Sequence, residues 1–132
     1  MKLGKGELDY IRYFENVTKA KVKDCVIDGD TVVVVVETGN MGPAIGRKGE
    51  NIKKVKNRTN KDVSVVEYSP DAEKFMKNLF APAKLEEIKI DGNKAEISTP
   101  ERKRVIGQKG KRIKRAKTLM KRYFDIDDIE IR

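Results

Sequence analysis

Ile45-Gly46-Arg47-Lys48-Gly49-Glu50-Asn51-Ile52-Lys53-Lys54 decides how this chain is read, because it occurs twice. The second copy, 61 positions on, is Ile106-Gly107-Gln108-Lys109-Gly110-Lys111-Arg112-Ile113-Lys114-Arg115. Both read Ile-Gly-x-Lys-Gly, two residues, Ile, then two basic residues. Paired glycines ahead of an amphipathic pattern describe a tight loop feeding a helix. Glycine leaves the backbone open to close approach. The helix start beyond offers N–H groups and the positive end of the dipole, a natural place for a phosphate. The loop lysine adds a full charge. One short glycine pattern arises easily by chance; two in the same register and the same surroundings do not.

The surroundings repeat as well. Asp28-Gly29 and Asp91-Gly92 lie 63 positions apart, each between apolar runs, and each predicts a β-hairpin. Before the first hairpin, Leu8, Ile11 and Phe14, with Tyr10 and Val17, form an apolar stripe at helical period. Val22, Cys25, Val26 and Ile27 form one strand, and residues 31–36 the other. A short helix over 43–45 enters the first loop, a helix over 50–58 leaves it with Ile52 and Val55 inward, and Val63, Val65 and Val66 mark a last strand. In the second half, Ser69-Pro70 reads as a helix start, with serine as N-cap and proline at the first helical position. Phe75, Met76 and Leu79 give that helix its inner face. Leu85, Ile88 and Ile90 precede the second hairpin turn, and Ala95 and Ile97 follow it. Val105 and Ile106 lead into the second loop, 111–124 is the helix beyond, and Ile126, Ile129 and Ile131 end the chain as a strand. Each half is thus helix, strand, strand, helix, glycine loop, helix, strand. The expected class is α+β, with domains over residues 1–68 and 69–132. The join is too short for a flexible linker, so the halves are expected to pack rigidly with both loops on one face.

Composition narrows the chemistry. The 132 residues carry a net charge of +9, which favours a polyanionic partner. The basic residues cluster: residues 102–122 hold eleven Lys or Arg and no acid, and 41–61 hold seven with Glu50 alone opposing. There is no histidine and one cysteine, Cys25, so the usual general base, the usual zinc ligands and any intrachain disulfide are missing. No metal or cofactor is expected. Cys25 reads as a small buried hydrophobe, and Met41, Met76 and Met120 as packing. Asp125, Asp127 and Asp128 read as surface charges rather than metal ligands. The longest apolar run, 32–36, is strand-sized, and nothing resembles a membrane span or signal peptide. A cytoplasmic monomer is expected.

Gly-x-x-Gly between two helices beside a small sheet resembles the KH domain. With the hairpin ahead of the loop and one strand after it, in both halves, the chain resembles two KH domains in tandem, of the type II order. A protein of this length built from two such domains is similar to the archaeal NusA-like family of transcription factors. The resemblance implies a non-enzymatic, single-stranded RNA-binding factor of transcription elongation or termination, with RNA polymerase a candidate second partner. Ribosomal or pre-ribosomal RNA is the alternative target, since type II KH domains also serve there. It implies two clamps, Gly46-Arg47-Lys48-Gly49 and Gly107-Gln108-Lys109-Gly110, each holding about four nucleotides. Ile45 and Ile52, and Ile106 and Ile113, would line the grooves. Lys53 and Lys54, and Lys111, Arg112, Lys114 and Arg115, would supply charge. Gln108 departs from the basic residue at the first loop. A nucleotide-binding enzyme is disfavoured, because no Gly-x-x-x-x-Gly-Lys-Ser/Thr occurs.

Overall fold

A computed structural model describes residues 4–132. The described residues are α+β with two three-stranded sheets, and contacts divide the chain into two units, Met1–Ser69 and Pro70–Arg132. In the first unit the order is α1 (Lys5–Thr18), β1 (Val22–Asp28), β2 (Thr31–Val36), α2 (Met41–Ile45), a 3₁₀ turn (Arg47–Gly49), α3 (Glu50–Thr59) and β3 (Asp62–Glu67). In the second it is α4 (Ala72–Phe80), β4 (Glu87–Asp91), β5 (Lys94–Ser98), α5 (Arg102–Ile106), a 3₁₀ turn (Gln108–Gly110), α6 (Lys111–Phe124) and β6 (Asp128–Ile131). The hairpin partners are antiparallel, and the last strand of each unit lies parallel to the second hairpin strand.

Both hairpin turns contain two residues, Gly29-Asp30 and Gly92-Asn93, between the paired residues Asp28 and Thr31, and Asp91 and Lys94. The glycine sits at φ +60° in each, while its successor keeps an ordinary negative φ. Positive φ at the first central residue alone fits a type II′ turn, which needs glycine there.

The valine run of β2 is buried throughout. Val32, Val34 and Val36 join Tyr10, Phe14, Cys25, Ala44, Val55 and Val63 in the core beneath the helices. Val33 and Val35, pointing the other way, are buried as well. A central strand covered on both faces reads as a continuous apolar run rather than an alternating one. In the second unit Ala95, Ile97, Val105, Ala116, Leu119, Met120 and Ile129 are buried, and Phe75 meets the rings of Tyr123 and Phe124 edge-on and tilted, at 6.3 and 5.9 Å between centroids.

Several local expectations shift. On α1 the innermost residues are Tyr10, Phe14 and Thr18, and Leu8 is 41% exposed. A four-residue step drifts less around a helix than a three-residue step, so Tyr10-Phe14-Thr18 holds the inner line. Thr18 can be buried because its hydroxyl donates to the Phe14 carbonyl at 2.8 Å. Ile11 and Val17 flank that line against the core. The short helix α2 starts two residues early, at Met41, which packs on the core. In β3, Val63 and Val66 are buried and Val65 only partly. Leu85 and Ile126 lie outside the strands, and Ile90 on the edge strand β4 is 40% exposed. The cap of α4 is Asp71, not Ser69: its carboxylate accepts from Glu73 N at 3.0 Å and Lys74 N at 3.5 Å. An Asp competes fully with Ser as a cap, and the chain takes the later of the two.

Asp71→Ala leaves those N–H groups uncapped and should cost about 1 kcal/mol. Urea unfolding of the whole chain measures it; an unchanged midpoint would return the cap to another residue.

Candidate nucleic-acid interface

The Gly46 N–H donates to the Gly42 carbonyl at 2.8 Å and closes α2; the Gly49 N–H returns to the Gly46 carbonyl at 3.1 Å in one tight turn. The second loop repeats this, Gly107 N to Lys103 O at 2.9 Å and Gly110 N to Gly107 O at 3.1 Å. Backbone angles agree within a few degrees. Gly46 and Gly107 both stand at φ 78°, ψ 172°; Lys48 and Lys109 at φ 55°, ψ 27° and φ 56°, ψ 28°; Gly49 and Gly110 at φ 75°, ψ 16° and φ 71°, ψ 13°. Two lysines therefore hold a left-handed conformation that costs a side-chain-bearing residue roughly 1–2 kcal/mol. Such strain marks places where the surrounding structure over-determines the backbone.

The first glycine of each loop is doubly constrained. A Cβ on Gly46 would stand 2.9 Å from Asn51 N and 2.7 Å from Asn51 Cγ; one on Gly107 would stand 2.9 Å from Arg112 N and 2.6 Å from Arg112 Cβ. The second glycine has room: the nearest atom to a Cβ on Gly49 is Ile52 Cγ2 at 3.8 Å, and none lies within 4 Å at Gly110. Neither following helix has a side-chain N-cap, since glycine fills that position.

Arg47, Lys48, Gln108 and Lys109 are exposed, as are Lys53, Lys54, Lys111 and Lys114. Ile45, Ile52, Ile106 and Ile113 are all half-buried, leaving an apolar strip beside each loop. Arg115 is half-buried, its Nε donating to the Lys111 carbonyl at 3.3 Å. Arg112 sits differently: its guanidinium donates to Phe80 O at 2.9 Å and Ala81 O at 2.5 Å, the carbonyls ending α4. Burial, then the charges of Arg115 and Arg104, push its pKa below the ordinary arginine value. The negative end of α4 holds that charge. Arg112 thus braces the loop helix. In the first unit the same position is Asn51, whose amide donates to Pro43 O at 2.7 Å.

A second brace lay outside the sequence reading. Lys21 N donates to Asn40 Oδ1 at 2.9 Å, and Lys84 N to Glu101 Oε2 at 2.6 Å, fixing the residue ahead of α2 and of α5. The bond from Lys84 N holds the Glu101 carboxyl below the usual range; burial opposes it, and the neighbouring Arg104 adds to it. Tyr10 clips α1 to the end of α3: its hydroxyl lies 3.2 Å from Thr59 Oγ1, whose own proton goes to Val55 O at 2.7 Å, so Tyr10 donates.

The distribution of ion pairs sharpens the electrostatics. Lys117 and Lys121, far along α6, meet Asp128 and Asp127 at 3.8 and 3.6 Å. Lys23, Lys77, Lys89, Lys94 and Arg132 also face carboxylates. Among the described residues, Arg47, Lys48, Lys53, Lys54, Lys109, Lys111, Lys114 and Arg115 have none within ion-pair distance. Each loop is therefore flanked by cations without a carboxylate partner. Among the described residues no helix is long and apolar enough to cross a membrane.

A family model described as the KH domain matches residues 10–70, so the first glycine loop lies within it. A relative from Halococcus morrhuae, named probable transcription termination protein NusA, is 40% identical over 94% of this chain and 93% of its own. The chain belongs to the archaeal NusA-like family. A NusA-like relative of the same name from Methanocaldococcus jannaschii is 34% identical, over 99% of this chain and 75% of its own. The solved structure described as the crystal structure of APE1850 is 32% identical, with a TM-score of 0.79 across 98% of this chain and 100% of that one.

The two glycines of the first NusA-like loop should respond unequally. Gly46→Ala meets both a glycine-only backbone region and backbone atoms, at roughly 3 kcal/mol or more. Gly49→Ala meets only the left-handed penalty, about 1 kcal/mol. Denaturant midpoints of the two variants compare them directly; equal losses would mean that space at Gly46 does not matter.

Proposed function

We propose that this chain is a non-enzymatic, single-stranded RNA-binding factor of NusA type, acting on nascent RNA in transcription elongation or termination. Its units are read as tandem type II KH domains, residues 1–68 and 69–132 in sequence terms. One observation carries the reading: two glycine loops of matching backbone angles, each beside half-buried isoleucines and uncompensated cations. Backbone and lysine would grip phosphates while Ile45 and Ile52, or Ile106 and Ile113, floor a groove for about four bases. Of the cations near the clamps, Lys48, Lys53, Lys54, Lys109, Lys111 and Lys114 are assigned to phosphates, with Arg47 beside them and Arg115 at the margin. Arg112 is assigned to holding α6. The two clamps are read as engaging one RNA, with RNA polymerase a candidate second partner. The relatives' shared name, transcription termination protein, supports nascent transcripts as the target. Cross-linking in cells and sequencing of the bound RNA tests this; recovery of ribosomal precursors in place of nascent messages would overturn it.

Binding should weaken with salt at about −0.7 in log affinity against log salt for each phosphate neutralised, so roughly four to eight contacts give a slope near −3 to −6. Titration of a labelled single strand at several salt concentrations measures the slope. A duplex bound as tightly as the single strand would sink the groove.

Arg47→Asp with Lys48→Asp, and separately Gln108→Asp with Lys109→Asp, should each weaken binding to a long RNA roughly ten-fold or more. Asp tolerates the left-handed position at 48 and 109 as a short polar residue, so the loops should still form. A long RNA indifferent to either double change would leave one working clamp.

A further inference from the structure

The two loops share a backbone but not a charge arrangement. In the first, both exposed loop residues are cationic, and Glu50 opens the following helix. In the second, Gln108 replaces one cation and Lys111 opens the helix. The larger difference lies upstream. The positions Met41-Gly42-Pro43 on α2 correspond to Arg102-Lys103-Arg104 on α5. Arg104 is spoken for, its guanidinium 3.0 Å from Glu101 Oε1. Arg102 and Lys103 are exposed, and among the described residues neither has a carboxylate within ion-pair distance.

Their place on α5 is fixed. Val105 is fully buried, and Glu101, accepting from Lys84 N, anchors the start of the helix. Arg102 and Lys103 precede Ile106 by four and three residues, so they flank it one turn, about 5.4 Å, further from the clamp. A strand gripped at Gly107–Gly110 and laid along Ile106 would reach them next. On the first unit the matching places hold Met41, packed into the core, and Gly42.

We propose that Arg102 and Lys103 form an added phosphate-binding step on the second unit, extending its hold on single-stranded RNA beyond the nucleotides in the clamp. This rests on reading the second loop as an RNA clamp. The ligand is the sugar-phosphate backbone, met by a guanidinium fork and an ammonium without choice of base. The step offsets the charge absent at Gln108 and makes the second unit the longer and more salt-sensitive of the two.

The test uses the full chain with R102Q/K103Q, and K77Q/K89Q as a control removing equal charge from paired positions. Arg102 and Lys103 are exposed and unpaired, so the urea midpoint of R102Q/K103Q should stay put. On a single-stranded oligouridine of about twelve nucleotides, affinity should fall roughly ten-fold and the salt slope should become shallower by about 1.4, at 0.7 per phosphate. On an RNA of about four nucleotides, filling one groove only, the same change should have less than about a two-fold effect. The control should move neither. Equal losses for the control, or no loss on the longer RNA, would overturn the proposal, as would equal losses on both lengths. Absence of binding by the unaltered protein would instead remove the proposed function itself.

Discussion

At Gly46 and Gly107 a backbone turn has to pass against the next helix with no room for a side chain. The distance from a would-be Cβ to the amide nitrogen of Asn51 or Arg112 is 2.9 Å in both units. The tight turn follows from that contact: one carbonyl takes the N–H three residues on, the lysine is forced to positive φ, and the helix starts on a second glycine. Because the loop is this short, the two helices it joins diverge from one point, and the isoleucines before and after it come to stand beside the turn. The cations are delivered to the same place by the same constraint. A longer or looser loop would carry the same residues without fixing where they point.

What was legible in the sequence is what depends on local pattern. The repeated Ile-Gly-x-Lys-Gly, the Asp-Gly turns and the apolar periods gave element order in both halves, and the buried valines of β2 and Phe75, Met76 and Leu79 of α4 follow from them. What was not legible depends on which neighbour arrives. Leu8 fits a helical stripe as well as Tyr10 does, but only the helix's final rotation over β1 and α3 decides between them. Ser69 and Asp71 are both good caps, and the chain can use only one. Arg112 counted as one more cation until the end of α4 was placed beside it. Asn51, its counterpart, carries no charge and drew no notice, yet the shared position was a signal. Two residues of different chemistry at matching places in a repeat, each with long-range donors, invite the reading that both brace the helix. Asn40 and Glu101 form a second such pair, 61 positions apart and both acceptors.

The treatment of charge away from the loops completes the picture. The outward face of the second sheet carries Glu87, Lys89, Lys94, Glu96, Glu130 and Arg132, tied by contacts of 3.0 to 3.7 Å. Hydrogen bonding to Glu130, and its charge, raise the pKa of Lys94. Exposed pairs of this kind add little stability. Their consequence is for the field. The field of a paired lysine is largely cancelled by its partner, whereas an unpaired one attracts a phosphate out to about a Debye length, about 8 Å at physiological salt. With 30 basic residues against 21 acidic ones, a chain that spread its pairs evenly would be weakly positive everywhere. Here the acids of β4, β5, β6 and the turn after α6 neutralise the sheet and the distal part of α6. Part of the unpaired charge is left beside the glycine turns, where, among the described residues, Arg47, Lys48, Lys53, Lys54, Lys109, Lys111, Lys114 and Arg115 face no carboxylate within ion-pair distance. Charge and conformation thus converge on the same few residues, those proposed to meet the RNA backbone.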